Sequence, residues 1–564
     1  MAFLISMVVI FICLCGVGLL LILGLYLLLA GILRWWPFQG DRRHPAEEYF
    51  VQDQVVLAGS RADVDAALSQ VRGVRLELLE QIEFDQLGPA VQTCSGLPDD
   101  LVVGLYRING LFPRVTRAVE ALNNTPAGQG GTVQAEPNYL SGHPWEPEGS
   151  PWEPAGRPWE PEGSPLPNTL PPTRKSQKNA DPDWFMTQWG FKQIQLDARP
   201  EALMGDRVVV GLFDTSPFPL PPGTRHQLIA VDWVNQPTPM NVYASNPFPA
   251  ATFRASRRQI NDVRNHGLFA AGLVHALAPA ATLQLVQVLA NDNRGDMFTL
   301  LRELFKFLQE TTAADAGWQG VVINLSLGVR MPPDEAGFNL PPEVRSLIYM
   351  MTAANCLNVV VLAASGNGSA SGGPQPAELP ASMDSVIGVG ASNQADRRAC
   401  FSNRADIAAP GGDGGPGVTS CSPHNQDCSD EGCGFAVIGP AREEPARTGF
   451  IFWSGTSFST PMVSGLAALV QQAGGGAYTP AQVAAILACG ATPVPETEHL
   501  GAGVINVPRT LTECLRQAGE PGKPKPLPEA PPETPPETSP ETPPAPDESE
   551  REDPPPGKRT ASTE

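Results

Sequence analysis

A chain of 564 residues with a formal charge of −21, 60 prolines and 55 glycines is too long and too uneven for one compact body, and divides into packed segments and linkers. The acidic balance argues against nucleic acid as a partner, because phosphate backbones are held by lysine and arginine. With no HExxH and no paired CxxC spacing, zinc catalysis is not indicated either, and no metal site is assigned.

Residues Phe3 to Leu33 carry no charge and greatly exceed the roughly 7 to 15 apolar residues of a secretory signal core. Residues 1–36 therefore read as a single-pass transmembrane anchor in a lipid bilayer, with Trp35 and Trp36 at the interface. Arg34, Arg42 and Arg43 follow the span and no charged side chain precedes it; taken alone, the positive-inside rule leaves the C-terminal part in the cytoplasm. The eight cysteines beyond the span show no framework spacing, and Cys421, Cys428 and Cys433 read equally as a disulfide cluster or as surface thiols.

From residue 48 to 140 the pattern predicts strand, helix, strand, strand, helix, strand. "QVVLA" precedes "SRADVDAALSQV", in which Ser60 and Asp63 form a capping box and Val64, Leu68 and Val71 one apolar face. "VRLELLE" and "LVVGLYRI" are strands, "FPRVTRAVEALNN" a helix and "GTVQAEPNYL" the last strand. The unit is ferredoxin-like α+β. Residues 141–180 hold a repeat of period seven, "PWEPEGS", whose prolines exclude helix and sheet ladder and make an extended spacer.

Between 181 and 517, apolar runs without alternation ("RVVVGLFD", "GVVINLSLG", "VVVLAASGN") are interleaved with helical patterns ("MFTLLRELFKFLQETTA", "PEVRSLIYMMTAANCLN"). Such runs belong to parallel strands covered on both faces, so the class is α/β with a parallel sheet. Residues 518–564, acidic and proline-rich, cannot bury enough apolar area to fold.

In parallel α/β sheets functional side chains collect at the carboxyl ends of strands. Asp214 and Asn367 end two of these runs, although a carboxylate there is often only a cap. His266 opens an apolar helix beside Gly267, which permits close backbone approach. His275, nine residues on, turns to the opposite face and reads as structural. Ser457 stands at a helix start, where a serine caps unpaired N–H groups or, in the same electropositive place, attacks a carbonyl. Pro461 is expected in the first helical turn. Together Ser457, His266, Asp214 and Asn367 provide a nucleophile, a base, an orienting carboxylate and an oxyanion donor.

At these residues the chain resembles the subtilase family of subtilisin-type serine proteases. "VVVGLFDTS", "NHGLFAAGLV", "VVVLAASGNG" and "SGTSFSTPMVSG" are similar to the family's Asp, His, oxyanion Asn and nucleophile segments, in the order Asp, His, Ser. The resemblance implies a subtilisin-like three-layer domain and an endopeptidase acting through an acyl-enzyme, which the N-terminal span would anchor to the membrane, with Asp214, His266 and Ser457 catalytic and Asn367 in the oxyanion hole. It also implies that Ser326, Leu327 and Gly328 bind the backbone of protein or peptide substrates, and that the 48–140 unit is the enzyme's own propeptide. No cofactor is required for such chemistry; many subtilases bind structural calcium, but no acidic cluster identifies a site. Family habit places the catalytic domain outside the cytoplasm, against the arginine signal. Ser216 and Leu268 depart from the family's usual Gly and Thr, and a long insert separates "AAPGG" from "SGTS". These departures motivate the alternative of a catalytically inactive, subtilase-like binding module at the membrane.

Overall fold

In the computed structural model, residues 49–110, 114–142, 185–232, 239–248, 263–291, 294–329, 331–332, 340–371, 373–412, 436–443 and 447–518 are described. The expected anchor, the "PWEPEGS" repeat, the clustered cysteines 421, 428 and 433 and the tail beyond 518 lie outside them. Among the described residues no helix is long and apolar enough to cross a membrane.

The N-terminal unit is built from β1 (Phe50–Ser60), α1 (Arg61–Gln70), β2 (Leu76–Glu83), β3 (Leu101–Ile108), α2 (Val115–Asn123) and β4 (Val133–Gly142). Its strands pair antiparallel in the order β4-β1-β3-β2, the ferredoxin-like arrangement expected from the pattern. Ser60 caps α1 by accepting the Asp63 amide at 3.2 Å. The capping box is only half formed: the Asp63 carboxylate takes the Ser60 hydroxyl at 2.6 Å, and Ser60 is paired with Leu101 across the sheet.

The larger unit follows as β5 (Val208–Asp214), β6 (Thr224–Val231), β7 (Met240–Asn246), α3 (His266–Leu277), β8 (Thr282–Gln287), β9 (Gly295–Asp296), α4 (Met297–Thr311), β10 (Gly320–Leu325), β11 (Gly328–Val329), α5 (Arg345–Cys356), β12 (Val360–Ala364), β13 (Ile387–Ser392), β14 (Ile407–Pro410), β15 (Val437–Glu443), β16 (Arg447–Trp453), α6 (Thr456–Ala473) and α7 (Pro480–Gly490). Its eight-stranded sheet runs β14-β13-β12-β10-β5-β8-β7-β6. Every pair is parallel except β6–β7, so the expected parallel sheet carries one antiparallel edge strand. The chain between β6 and β7 is too short for a crossover, so the edge strand folds back as a hairpin.

Strand β5 explains the layering. Val208, Val210 and Leu212 join one apolar cluster with α3 and α6, whereas Val209 and Phe213 join another with α4 and α5. A strand presents alternate side chains to opposite faces, so the unbroken apolar run serves two helical layers. The second cluster continues into the N-terminal unit through β1, β3 and α2, with Phe84 and Phe305 in ring contact at 5.9 Å.

Strand β4 does not stop at Leu140. Ser141 and Gly142 extend it, pairing with Val329 and Gly328 of β11, while Leu140 and Ser141 pair with Asp296 and Gly295 of β9. Ser141 and Gly142, assigned to the spacer from the sequence, complete a ladder with the larger unit. Earlier on β4, Asn138 accepts the Phe298 amide at 2.9 Å. The buried Glu136 accepts the amides of Arg345 at 2.8 Å and Ser346 at 3.3 Å, and the Ser346 hydroxyl. Two helix starts whose N–H groups would be orphans are thus satisfied by the N-terminal unit. A disulfide, Cys94–Cys356, also joins the two units across 262 residues. A second, Cys489–Cys514, ties α7 to the last helical turns.

Burial pushes the Glu136 carboxyl up from 4.5 to about 7, and the donated hydrogen bonds pull it back only in part. A group whose attached-state pKa is raised favours attachment fully below its detached value, and the contribution is lost as pH rises through the attached value. Attachment of β4 is therefore expected to weaken between about pH 4.5 and 7, by up to about 3 kcal/mol. Hydrogen exchange of the β4 amides at pH 5 and 8 checks this: Glu136→Gln should flatten the difference.

Candidate active site

Asp214 ends β5, the strand that lies between β10 and β8, and is fully buried. Its carboxylate accepts the Thr215 amide at 2.6 Å and lies 3.0 Å through each oxygen from His266 Nδ1. The Thr215 hydroxyl lies 3.0 Å and 3.2 Å from the carbonyls of Val263 and Arg264 and accepts the Gly267 amide at 3.3 Å, so one side chain ties the start of α3 to the end of β5. Only glycine fits at 267: a Cβ there would stand 2.2 Å from the Thr215 carbonyl and 2.9 Å from the Asp214 Cβ. The departures are absorbed locally. Ser216 accepts the Phe218 amide at 3.4 Å and Leu268 lies in the core.

Aromatic rings hold the other side of the imidazole. Trp453 meets His266 edge-on at 5.3 Å and Phe458 lies tilted against it at 4.8 Å. Sequence reasoning missed both, although they flank "SGTS". His275 remains structural; burial, with the charge of Arg199 second, pushes it down to about 4.

Helix α6 begins at Thr456 after Gly455, which places Ser457 in the first turn, among N–H groups with no intrahelical acceptor. Pro461 is the sixth helical residue and not part of the first turn. Its ring nitrogen cannot donate to the Ser457 carbonyl four residues back, and that carbonyl instead accepts the Ser326 hydroxyl at 2.7 Å. Asn324 in turn donates to Ser326 Oγ at 2.9 Å. The Ser457 hydroxyl reaches back to the Ser326 carbonyl at 3.3 Å. Ser326→Ala leaves both the Ser457 carbonyl and the Asn324 amide short of a partner in a dry site, and is expected to cost about 1–3 kcal/mol, measurable as a lower urea midpoint at unchanged m-value.

Asn367 follows β12. Its Oδ1 accepts the Thr456 amide at 3.0 Å and the Thr456 hydroxyl at 2.9 Å. These donors fix which end of the side-chain amide faces them and leave Nδ2 toward the chain just before Ser457, 3.6 Å from where a Cβ on Gly455 would be. The structure thus pairs Asp214 with His266, Asn367 with Thr456 and Ser457 with Ser326, and sets Phe458, the residue after Ser457, against the imidazole; Leu327 and Gly328 follow Ser326 in the chain. All of these are buried. Among the described residues no group of three or more His, Cys, Asp or Glu side chains is placed to hold a metal ion.

A carboxylate-bound imidazole beside a serine at a helix start, with a fixed amide next to it, defines a serine peptidase class of site. Comparison with known proteins narrows the class. The chain belongs to the subtilase family, whose model matches residues 205–503. It is 28% identical over 332 residues to subtilisin BL of Lederbergia lenta, covering 56% of this chain and 96% of that protein. Subtilisin E of Bacillus subtilis (strain 168) is 28% identical over 258 residues, 44% of this chain and 55% of that one. Among solved structures, fervidolysin from Fervidobacterium pennivorans, a keratinolytic enzyme related to subtilisin, aligns at 17% identity with a TM-score of 0.47, over 84% of this chain and 62% of that one; this chain spans less than two thirds of it.

Proposed function

We propose that the chain is a membrane-anchored endopeptidase whose N-terminal α+β unit is its propeptide and occupies the substrate strand position until removed. Ser457 attacks a peptide carbonyl while His266 takes its proton and later delivers it to the leaving amine; Asp214 holds the imidazole tautomer and steadies the imidazolium. The Asn367 amide and the Ser457 backbone N–H receive the oxyanion. The observation that carries this is the pair of 3.0 Å contacts between His266 Nδ1 and the Asp214 carboxylate, in a pocket shared with Phe458 and Thr456, the neighbours of Ser457.

Protein or peptide substrates would add a strand along Gly328, where Gly142 now pairs. The anchor is residues 1–36, a reading supported by the uncharged apolar run Phe3 to Leu33. Two disulfides support an oxidising, extracytoplasmic side for the catalytic domain, and outweigh the arginines after the span. A fluorophosphonate probe tests the chemistry: once the chain is cut between Gly142 and Phe185 and the Cys94–Cys356 bridge reduced, so that the N-terminal unit can leave, it should label the protein and fail to label Ser457→Ala. Equal labelling of the two, or none of either, sinks the assignment.

A further inference from the structure

We propose that Glu378 makes this site select a cationic side chain, lysine or arginine, at the substrate residue whose carbonyl Ser457 attacks. The preference rests on the assignment of Ser457 as nucleophile.

Strands β10 and β12 are parallel neighbours, so the segments leaving their carboxyl ends, Ser326–Gly328 and Ser365–Asn367, run side by side. The first lies against the Ser457 hydroxyl and the second carries the oxyanion amide. A carbonyl seated between Ser457 and Asn367 therefore sends its own residue's side chain into the space between these two segments.

Both segments carry a glycine where they face that space. A Cβ on Gly328 would come within 2.9 Å of Glu378 Oε2, and one on Gly366 within 2.7 Å of Oε1. Gly366 also has φ +106°, a conformation that disfavours any side chain. The two oxygens of one carboxylate thus lie against both walls of the same slot.

The backbone fixes Glu378 there. Its amide donates to the Ser365 carbonyl at 2.9 Å, its carbonyl accepts the Ser382 amide at 2.9 Å, and the next carbonyl, of Leu379, accepts the Val329 amide at 2.9 Å. Glu378 is stitched to both segments, not carried on a surface loop. The residue is half-buried.

A lysine or arginine entering the slot gains a charge-assisted hydrogen bond. An apolar side chain of similar length has no charge to set against the carboxylate and buries it further, and an acidic one adds repulsion. Selection by a carboxylate at the base of a specificity pocket is the principle by which trypsin chooses its substrates.

The test uses the full chain, cut between Gly142 and Phe185 and reduced at Cys94–Cys356 so that the N-terminal unit can leave, its active sites counted with the fluorophosphonate, and fluorogenic peptides that differ only at the residue preceding the cleaved bond: arginine, lysine, leucine, phenylalanine or glutamate. We expect kcat/KM for arginine and lysine to exceed that for leucine by about tenfold or more. Glu378→Gln should remove that advantage and leave leucine within about threefold, and Glu378→Lys should shift preference toward glutamate. Should Glu378→Gln not fold, Glu378→Asp, one methylene shorter, should lower the ratio. A labelled wild type that prefers leucine or phenylalanine, or a ratio indifferent to the Glu378 variants, overturns the inference alone. A wild type that takes no label at all overturns the nucleophile assignment, and this preference with it.

Discussion

Asp214→Asn is expected to lower kcat about 10,000-fold while leaving the fold in place. Two contacts decide this. In the native site Asp214 Oδ1 accepts the Thr215 amide at 2.6 Å, and an asparagine would keep that bond through its carbonyl oxygen. Its other atom would then be an N–H directed at His266 Nδ1. The imidazole must answer with a lone pair, which moves its proton to Nε2 and removes the acceptor needed for the Ser457 hydroxyl. Shape is conserved and the tautomer is wrong. Ser457→Ala removes the nucleophile outright, and by the behaviour of this constellation in a subtilisin costs about a millionfold. Single-turnover kinetics on a peptide substrate, with urea midpoints measured alongside, separates this from unfolding. A variant Asp214→Asn that retains more than about a tenth of native kcat would mean that the carboxylate has no part in orienting the base.

Why the triad could be read from sequence, and much around it could not, has a physical basis. Val208–Asp214 and Val360–Ala364 are fully buried strands, so their apolar runs are continuous and their ends conspicuous; a polar residue ending such a run is a strong local signal. The N-terminal unit was legible for a related reason, since its strand and helix periods differ and its turns separate them. The edge strand β6 is largely exposed and begins with the polar residues Thr224 to Gln227, which hid the antiparallel hairpin. Strands β9 and β11 are two residues each and exist as strands through their pairing with β4, a partner more than a hundred residues away. Pro461 was misplaced because the position of a proline in a helix depends on where the helix begins, and Gly455 sets that point. Glu378 carries no local signature at all: its relation to Gly328 and Gly366 arises only when β10 and β12 lie side by side. Cys94 and Cys356 are likewise 262 residues apart, and cysteine spacing cannot announce such a pair.

The interface between the units is unusual in combining three kinds of bond along one path. Glu136 and Asn138 occupy helix starts, the end of β4 completes a ladder with β9 and β11, and a disulfide closes the far side. The first two are reversible and sensitive to pH or competition by a substrate strand. The third is not.

Cutting the chain between Gly142 and Phe185 is accordingly expected to leave the N-terminal unit attached to the catalytic unit even under denaturing, non-reducing conditions. Cys94 lies between β2 and β3, and Cys356 is the last residue of α5, so the bridge joins the halves on either side of any such cut. Dissociation of β4 from β9 and β11 then becomes an intramolecular event. A tethered strand faces its site at an effective concentration of about the millimolar range, and rebinds where a free fragment would diffuse away. A dithiol such as dithiothreitol supplies the two electrons that convert the disulfide to two thiols, itself ending as a cyclic disulfide, and only then should the fragments separate. The expected pattern is one band of full mass on a non-reducing gel after the cut, two bands with dithiothreitol, and two bands without it in Cys94→Ser. Peptidase activity of the cut enzyme should rise on reduction in the native sequence and be high without reductant in Cys94→Ser. Fragments that part without reductant in the native sequence would show that the units are joined by reversible contacts alone.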